Sequence, residues 1–252
     1  MKKNLCFCAM FIAFIFVSCK KDKPGSASAN GLSDITSGQH VHSIDSPLIV
    51  IIGASTAAGT GATPIDSSWV NRLRLTTAQN PKPLTYINLA LGGYTTYQGM
   101  PTGFKPPVSG RPLPDTARNI TKAISLHPNL VMITFPSNDV ANGFADDEVI
   151  NNYAKMVSLL DSAKVPFILF GTQPRNFGAS DSAKRLRLKT LNDKIKAIYT
   201  SRTNDYYNLL STADFMIKPA LSFGDGIHVN NKGHYIIMQT VLNHPIFQGV
   251  IQ

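Results

Sequence analysis

The chain has 252 residues, 43% of them hydrophobic, with 24 Lys+Arg against 15 Asp+Glu and a formal charge of +9. That apolar share supports a sizeable core and excludes a disordered polymer or a collagen-like repeat. The basic excess is scattered; its densest group, Lys184, Arg185, Arg187 and Lys189, falls on a predicted helix as a solvated face and does not argue for a nucleic-acid partner.

In chain order, Lys2 and Lys3 precede an apolar run over 5–17, followed by Ser18 and Cys19. A membrane-spanning helix needs roughly 20 apolar residues, so this shorter run, basic in front and closed by a small residue, reads as an export signal. The segment FVSC, ending in Cys19, resembles a bacterial lipoprotein signal. The resemblance implies cleavage after residue 18 and a lipid on Cys19. It also implies export to the bacterial cell envelope, at the outer membrane on its periplasmic or surface face. Lys20, Lys21 and Lys23 would then lie beside an anionic bilayer. Of the three cysteines, Cys6 and Cys8 leave with the signal, so no disulfide is expected. Residues 19–45 are rich in Ser, Gly, Ala, Asn and Asp without apolar periodicity and read as a flexible tether. His40 and His42 lie in it with no third ligand nearby, so no metal site is expected there.

From Leu48 onward, apolar runs alternate with amphipathic ones, the pattern of a parallel sheet with crossover helices. Strands are expected from 48 into the turn that carries Gly53 and at 84–89, 130–135, 167–170 and 205–210, and helices at 67–78, 115–126, 146–163, 180–199 and 232–242. Residues 46–252 thus read as one domain, a three-layer α/β/α sandwich with a mainly parallel five-stranded sheet. The exception is 92–114, a Gly/Pro-rich loop carrying Tyr94, Tyr97, Phe104 and Arg111. It follows a strand's carboxyl end, so it is expected to line a cleft, with Tyr94 and Tyr97 stacking on a sugar or lining a fatty-acyl groove.

The chemistry starts from 48–61, LIVIIGASTAAGTG. A β-branched run passes into a glycine-rich turn that holds Ser55, and in open α/β sheets ligands bind beyond the carboxyl ends of the strands. A serine hydroxyl needs a neighbouring base, an acid that orients the base, and donors for a developing oxyanion. Near the C-terminus, Asp225 and His228 lie three residues apart in FGDGIHVN. On a tight turn that spacing brings the carboxylate against the imidazole. His234, in the first turn of the last helix, reads as packing or capping. After the third strand Asn138, in FPSND, offers an amide donor, and after the second strand the glycines of NLALGGYT let a backbone N–H approach a substrate oxygen. Neither G-x-G-x-x-G nor G-x-x-x-x-G-K-[ST] occurs at 53–61, which argues against a nucleotide-binding module. The G-x-S-x-G elbow of α/β-hydrolases is also missing.

These four segments resemble the blocks of the SGNH hydrolases, the GDSL esterase and lipase family: Gly53, Ala54, Ser55; then 88–95 with Gly93; then Ser137, Asn138, Asp139; then Asp225, Gly226, Ile227, His228. The resemblance implies the family's flavodoxin-like sandwich. It implies Ser55 as nucleophile, His228 as base and Asp225 as its orienter. The Ser55 N–H, the Gly93 N–H and the Asn138 side chain become the oxyanion hole, with no metal or other cofactor. Two positions depart from the family pattern. Ala54 stands where an acid is usual, and Pro136 stands where a glycine is usual two residues before the asparagine. The expected activity is ester hydrolysis through an acyl-serine, with acetylated carbohydrate preferred as substrate. The alternatives are a lysophospholipase or thioesterase type of lipase, and a catalytically weak glycan-binding protein on the same fold.

Overall fold

Strand β1 (Leu48–Gly53) is buried along its whole length because both its faces are covered. Leu48, Val50 and Ile52 enter one apolar layer, whereas Ile49 and Ile51 enter the other, as the period-two alternation of a strand requires. The computed structural model describes residues 46–252. The expected signal and tether, with Cys19, His40 and His42, lie outside the described residues.

Four further strands follow: β2 (Thr85–Asn88), β3 (Leu130–Thr134), β4 (Phe167–Phe170) and β5 (Thr203–Asn204). The helices are α1 (Ser55–Ala58), α2 (Trp69–Thr77), α3 (Thr96–Gly99), α4 (Ile120–Ser125), α5 (Ser137–Ala141), α6 (Asp146–Ser162), α7 (Ala183–Tyr199), α8 (Tyr207–Leu210), α9 (Asn231–Leu242) and α10 (Pro245–Ile251). All strand pairings are parallel, in the order β2-β1-β3-β4-β5. Helices α4, α6 and α7 cover one face through Ile120, Tyr153, Met156, Leu188 and Leu191. Helices α2, α9 and α10 cover the other through Trp69, Leu73, Ile237, Val241 and Phe247. The strand order reverses direction between β1 and β3, and a crevice opens beyond their carboxyl ends at such a reversal.

The long elements stand within a few residues of expectation, with their ends set by side chains. Ser68 caps α2 by accepting from the Asn71 N–H, and Asn119 caps α4 by accepting from the Lys122 N–H, which starts that helix five residues later than expected. The last strand differs. The expected strand over 205–210 is instead the one-turn helix α8, and β5 lies just before it, with Thr203 and Asn204 opposite Leu169 and Phe170. A short apolar run does not distinguish a strand from a single helical turn. Here the Asp205 carboxylate accepts from the Tyr207 N–H and starts the turn.

Candidate active site

Residue Ser55 opens α1 immediately beyond β1, and the N–H groups of a first helical turn have no partner within the helix. Its hydroxyl lies 2.7 Å from His228 Nε2, across 173 residues of sequence. The other ring nitrogen, Nδ1, lies 2.5 Å from Asp225 Oδ2. The second oxygen of that carboxylate accepts from the backbone N–H groups of Ile227 and His228, each at 2.8 Å. The 225–228 turn therefore holds the carboxylate as firmly as it holds the ring. Burial opposes ionisation of Asp225, but the hydrogen bonds from His228 and the two N–H groups outweigh it and keep the carboxyl below its ordinary range.

Three contacts hold the serine and histidine segments together. The Thr56 hydroxyl donates to Gln173 Oε1 at 2.8 Å, and Gln173 Nε2 donates to the Ile227 carbonyl at 2.7 Å, so one glutamine bridges the neighbours of Ser55 and His228. Asn231 forms a two-way pair with the Thr63 backbone, accepting from its N–H at 2.9 Å and donating to its carbonyl at 2.6 Å. Gly61 has φ +93° and approaches Val229 so closely that a Cβ there would lie 2.2 Å from the Val229 carbonyl oxygen. Only glycine fits both conditions.

The donor side is assembled from the ends of β2 and β3. Gly92 packs against Ser55, a Cβ on it falling 3.9 Å from Ser55 Cβ, and Gly93 follows in a left-handed conformation with φ +81°. Among the described residues the Gly93 N–H donates to no backbone carbonyl. Asn138 lies in α5; its Nδ2 donates to the Tyr94 carbonyl at 2.8 Å and its Oδ1 accepts from Arg175 at 3.0 Å. The departures from the family pattern leave this arrangement intact. Pro136, at φ −68°, takes the position before the first residue of α5, where a missing N–H costs nothing, and Ala54 hydrogen-bonds through its backbone to the Thr134 carbonyl at 3.0 Å.

Beside Asn138, Asp139 is fully buried and accepts from both the N–H and the hydroxyl of Thr96, tying α5 to the 92–114 loop. Burial pushes its carboxyl up to about 7, against the lowering effect of the Thr96 hydrogen bonds. His234 packs as expected: its Nδ1 accepts from the Trp69 N–H and its Nε2 donates to the Thr60 carbonyl, and burial lowers its pKa to about 4.

The tyrosines of the loop are placed differently from expectation. Tyr97 is 1% exposed, and its hydroxyl donates to Glu148 at 2.5 Å; Arg111 clamps the same carboxylate at 2.6 and 2.8 Å. Tyr94 packs on the core and bonds Asp115. Tyr97 thus anchors the loop and presents no face to a ligand. The cleft beside Ser55 is lined instead by Ala54, Thr134, Pro136, Asn138, Arg175 and Ile227. The sequence pattern missed Arg175 and Gln173, although both follow the carboxyl end of β4, the position that singled out Ser55 and Asn138. Among the described residues no three His, Cys, Asp or Glu side chains cluster as metal ligands.

An arylesterase of Vibrio mimicus is 27% identical over 132 residues, which cover 52% of this chain and 57% of that protein, so the match spans little more than half the length of this curated relative. Among solved structures, a GDSL-like lipase from Bacteroides thetaiotaomicron superposes with a TM-score of 0.58 at 20% identity, covering 81% of this chain and 87% of that one. An acetyl xylan esterase superposes with a TM-score of 0.54 at 15% identity, covering 77% and 98%. Both share the sandwich fold. Residues 51–236, which contain the serine, both glycine turns, Asn138 and the Asp225–His228 turn, match the GDSL-like lipase/acylhydrolase family, and the chain belongs to that family.

Proposed function

We propose that this protein hydrolyses carboxylic esters through an acyl-serine intermediate and that its preferred substrate is a short-chain ester, an acetyl group on a carbohydrate. The observation that carries the proposal is the continuous chain from Ser55 Oγ through the His228 ring to Asp225. Ser55 Oγ attacks the carbonyl carbon while His228 Nε2 takes the hydroxyl proton, and Asp225 stabilises the imidazolium. Charge on the carbonyl oxygen is received by the Ser55 and Gly93 N–H groups and by Asn138 Nδ2. Collapse expels the alcohol with the proton from His228; water then repeats the sequence and releases the acid.

A short acyl group is favoured by the cleft beside Ser55, whose lining includes the polar side chains of Thr56, Thr134, Ser137, Asn138, Gln173 and Arg175. The burial of Tyr97 also removes one wall that a long acyl groove would need. The acetyl xylan esterase with the same fold acts on an acetylated polysaccharide, the substrate class an envelope enzyme meets. The test is hydrolysis of p-nitrophenyl esters from acetate to decanoate by residues 19–252, with Ser55→Ala as control. Serine-dependent turnover falling steeply beyond acetate is expected. A preference for long chains would favour a lysophospholipase or thioesterase. No turnover, with no labelling of Ser55 by a serine-directed phosphonate, would leave a glycan-binding protein. The lipid anchor is proposed on FVSC; Cys19→Ala should move the protein from the membrane to the soluble fraction, and its persistence with the membrane would refute the anchor.

A further inference from the structure

Arg175 is only 9% exposed, lines the cleft beside Ser55, and has no carboxylate within ion-pair distance among the described residues. A buried cation without an ion-pair partner is costly and needs a reason. Its hydrogen bonds supply one. NH1 donates to Asn138 Oδ1 at 3.0 Å and to the Ser137 carbonyl at 3.4 Å, while Nε is buried with no partner among the described residues. A guanidinium can only donate and a carbonyl can only accept. Arg175 on one side and the Tyr94 carbonyl on the other therefore fix which end of the Asn138 amide is oxygen and which is nitrogen. One Nδ2–H is spent on Tyr94, and the second is left for the cleft. A cation on Oδ1 also draws electron density from the amide and makes that remaining N–H a stronger donor.

On the reading of this site as an esterase, we propose that Arg175 is the positioning residue of the oxyanion hole, orienting and polarising the Asn138 amide toward the charge that develops on the substrate. It acts through Asn138 and makes no contact of its own with the reacting atoms. The asparagine is held by its side-chain partners, the Tyr94 carbonyl on Nδ2 and Arg175 on Oδ1.

The experiment is a double-mutant cycle on p-nitrophenyl acetate, a neutral ester. Arg175→Met should lower kcat roughly 10- to 100-fold with KM within about twofold, since loss of a whole oxyanion donor costs about 10²–10³. In an Asn138→Ala background the same change should cost less than about twofold. Arg175→Lys should recover part of the loss. Equal losses in both backgrounds would overturn the proposal, as would a loss confined to KM or to anionic esters such as p-nitrophenyl succinate, which would make Arg175 a substrate-charge reader. A second readout does not depend on turnover. The Asn138 side-chain NH₂ pair, identified in ¹H–¹⁵N spectra by its absence in Asn138→Ala, should be well split in the wild type and in Arg175→Lys, and should collapse toward free-amide shifts in Arg175→Met. If the wild type hydrolyses no ester, the esterase reading fails, and an unchanged NH₂ pair in Arg175→Met would separately sink the role of Arg175.

Discussion

The carboxylate of Asp225 has two separable duties. Oδ1 closes the turn through the Ile227 and His228 N–H groups, and Oδ2 takes the His228 ring. An asparagine keeps the first duty through its own carbonyl but presents N–H where the ring needs an acceptor. Asp225→Asn should therefore retain its circular dichroism and melting temperature while kcat for acetate falls by about three to four orders of magnitude. A loss of less than tenfold would show that the imidazole is oriented by something else. At this scale the sequence was legible where chemistry and spacing coincide, as at Asp225 and His228, three residues apart. Arg175 was illegible because its meaning rests on Asn138, 37 residues away, and no local pattern records that pairing.

Among the elements, the 92–114 loop shows what periodicity leaves out. Its aromatics read as candidate ligand contacts, yet Glu148 at the start of α6 gathers Tyr97, Arg111 and the Ala145 N–H on one carboxylate, and Arg111 lies over the Phe144 ring at 4.1 Å. The Arg111 hydrogen bonds are the largest of the influences that hold Glu148 at about 2. A depressed carboxyl pKa contributes stability that is present above its unfolded value and is lost as pH falls toward 2. Glu148→Gln should melt below the wild type at pH 7, with the gap narrowing as pH drops from 4.5 toward 2; a constant gap would mean that packing, not charge, is what the substitution removes. The core strands were legible because a strand buried on both faces is a continuous apolar run. The fifth was not, since Asp205 turns the chain into α8 through a hydrogen bond that apolar patterning does not encode.

For the molecule as a whole, two buried groups on opposite faces of the sheet titrate over one pH range with opposite sign. Asp139, raised to about 7, binds its proton more tightly folded than unfolded, so it subtracts stability as pH climbs from about 4 to 7. His234, lowered to about 4, binds its proton less tightly folded, so stability rises over about 4 to 6.5. Each is worth on the order of 3 to 4 kcal/mol across its range, and together they largely cancel. Asp139→Asn should unmask the histidine: urea melts at pH 4.5 and 7.5 should show the variant gaining on the wild type by about 3 kcal/mol at the higher pH. A stability difference independent of pH would contradict this account. The same long-range economy governs the Thr63–Asn231 pair, which spans 168 residues to seat the base beside the nucleophile. During synthesis all five strands of the sheet, both glycine turns and Ser55 emerge before His228, so a nascent or truncated chain carries the hydroxyl with nothing to take its proton. Hydrolytic competence is thereby withheld until the 225–228 turn is seated, and an active-site probe would read out the docking of that turn rather than the folding of the sheet.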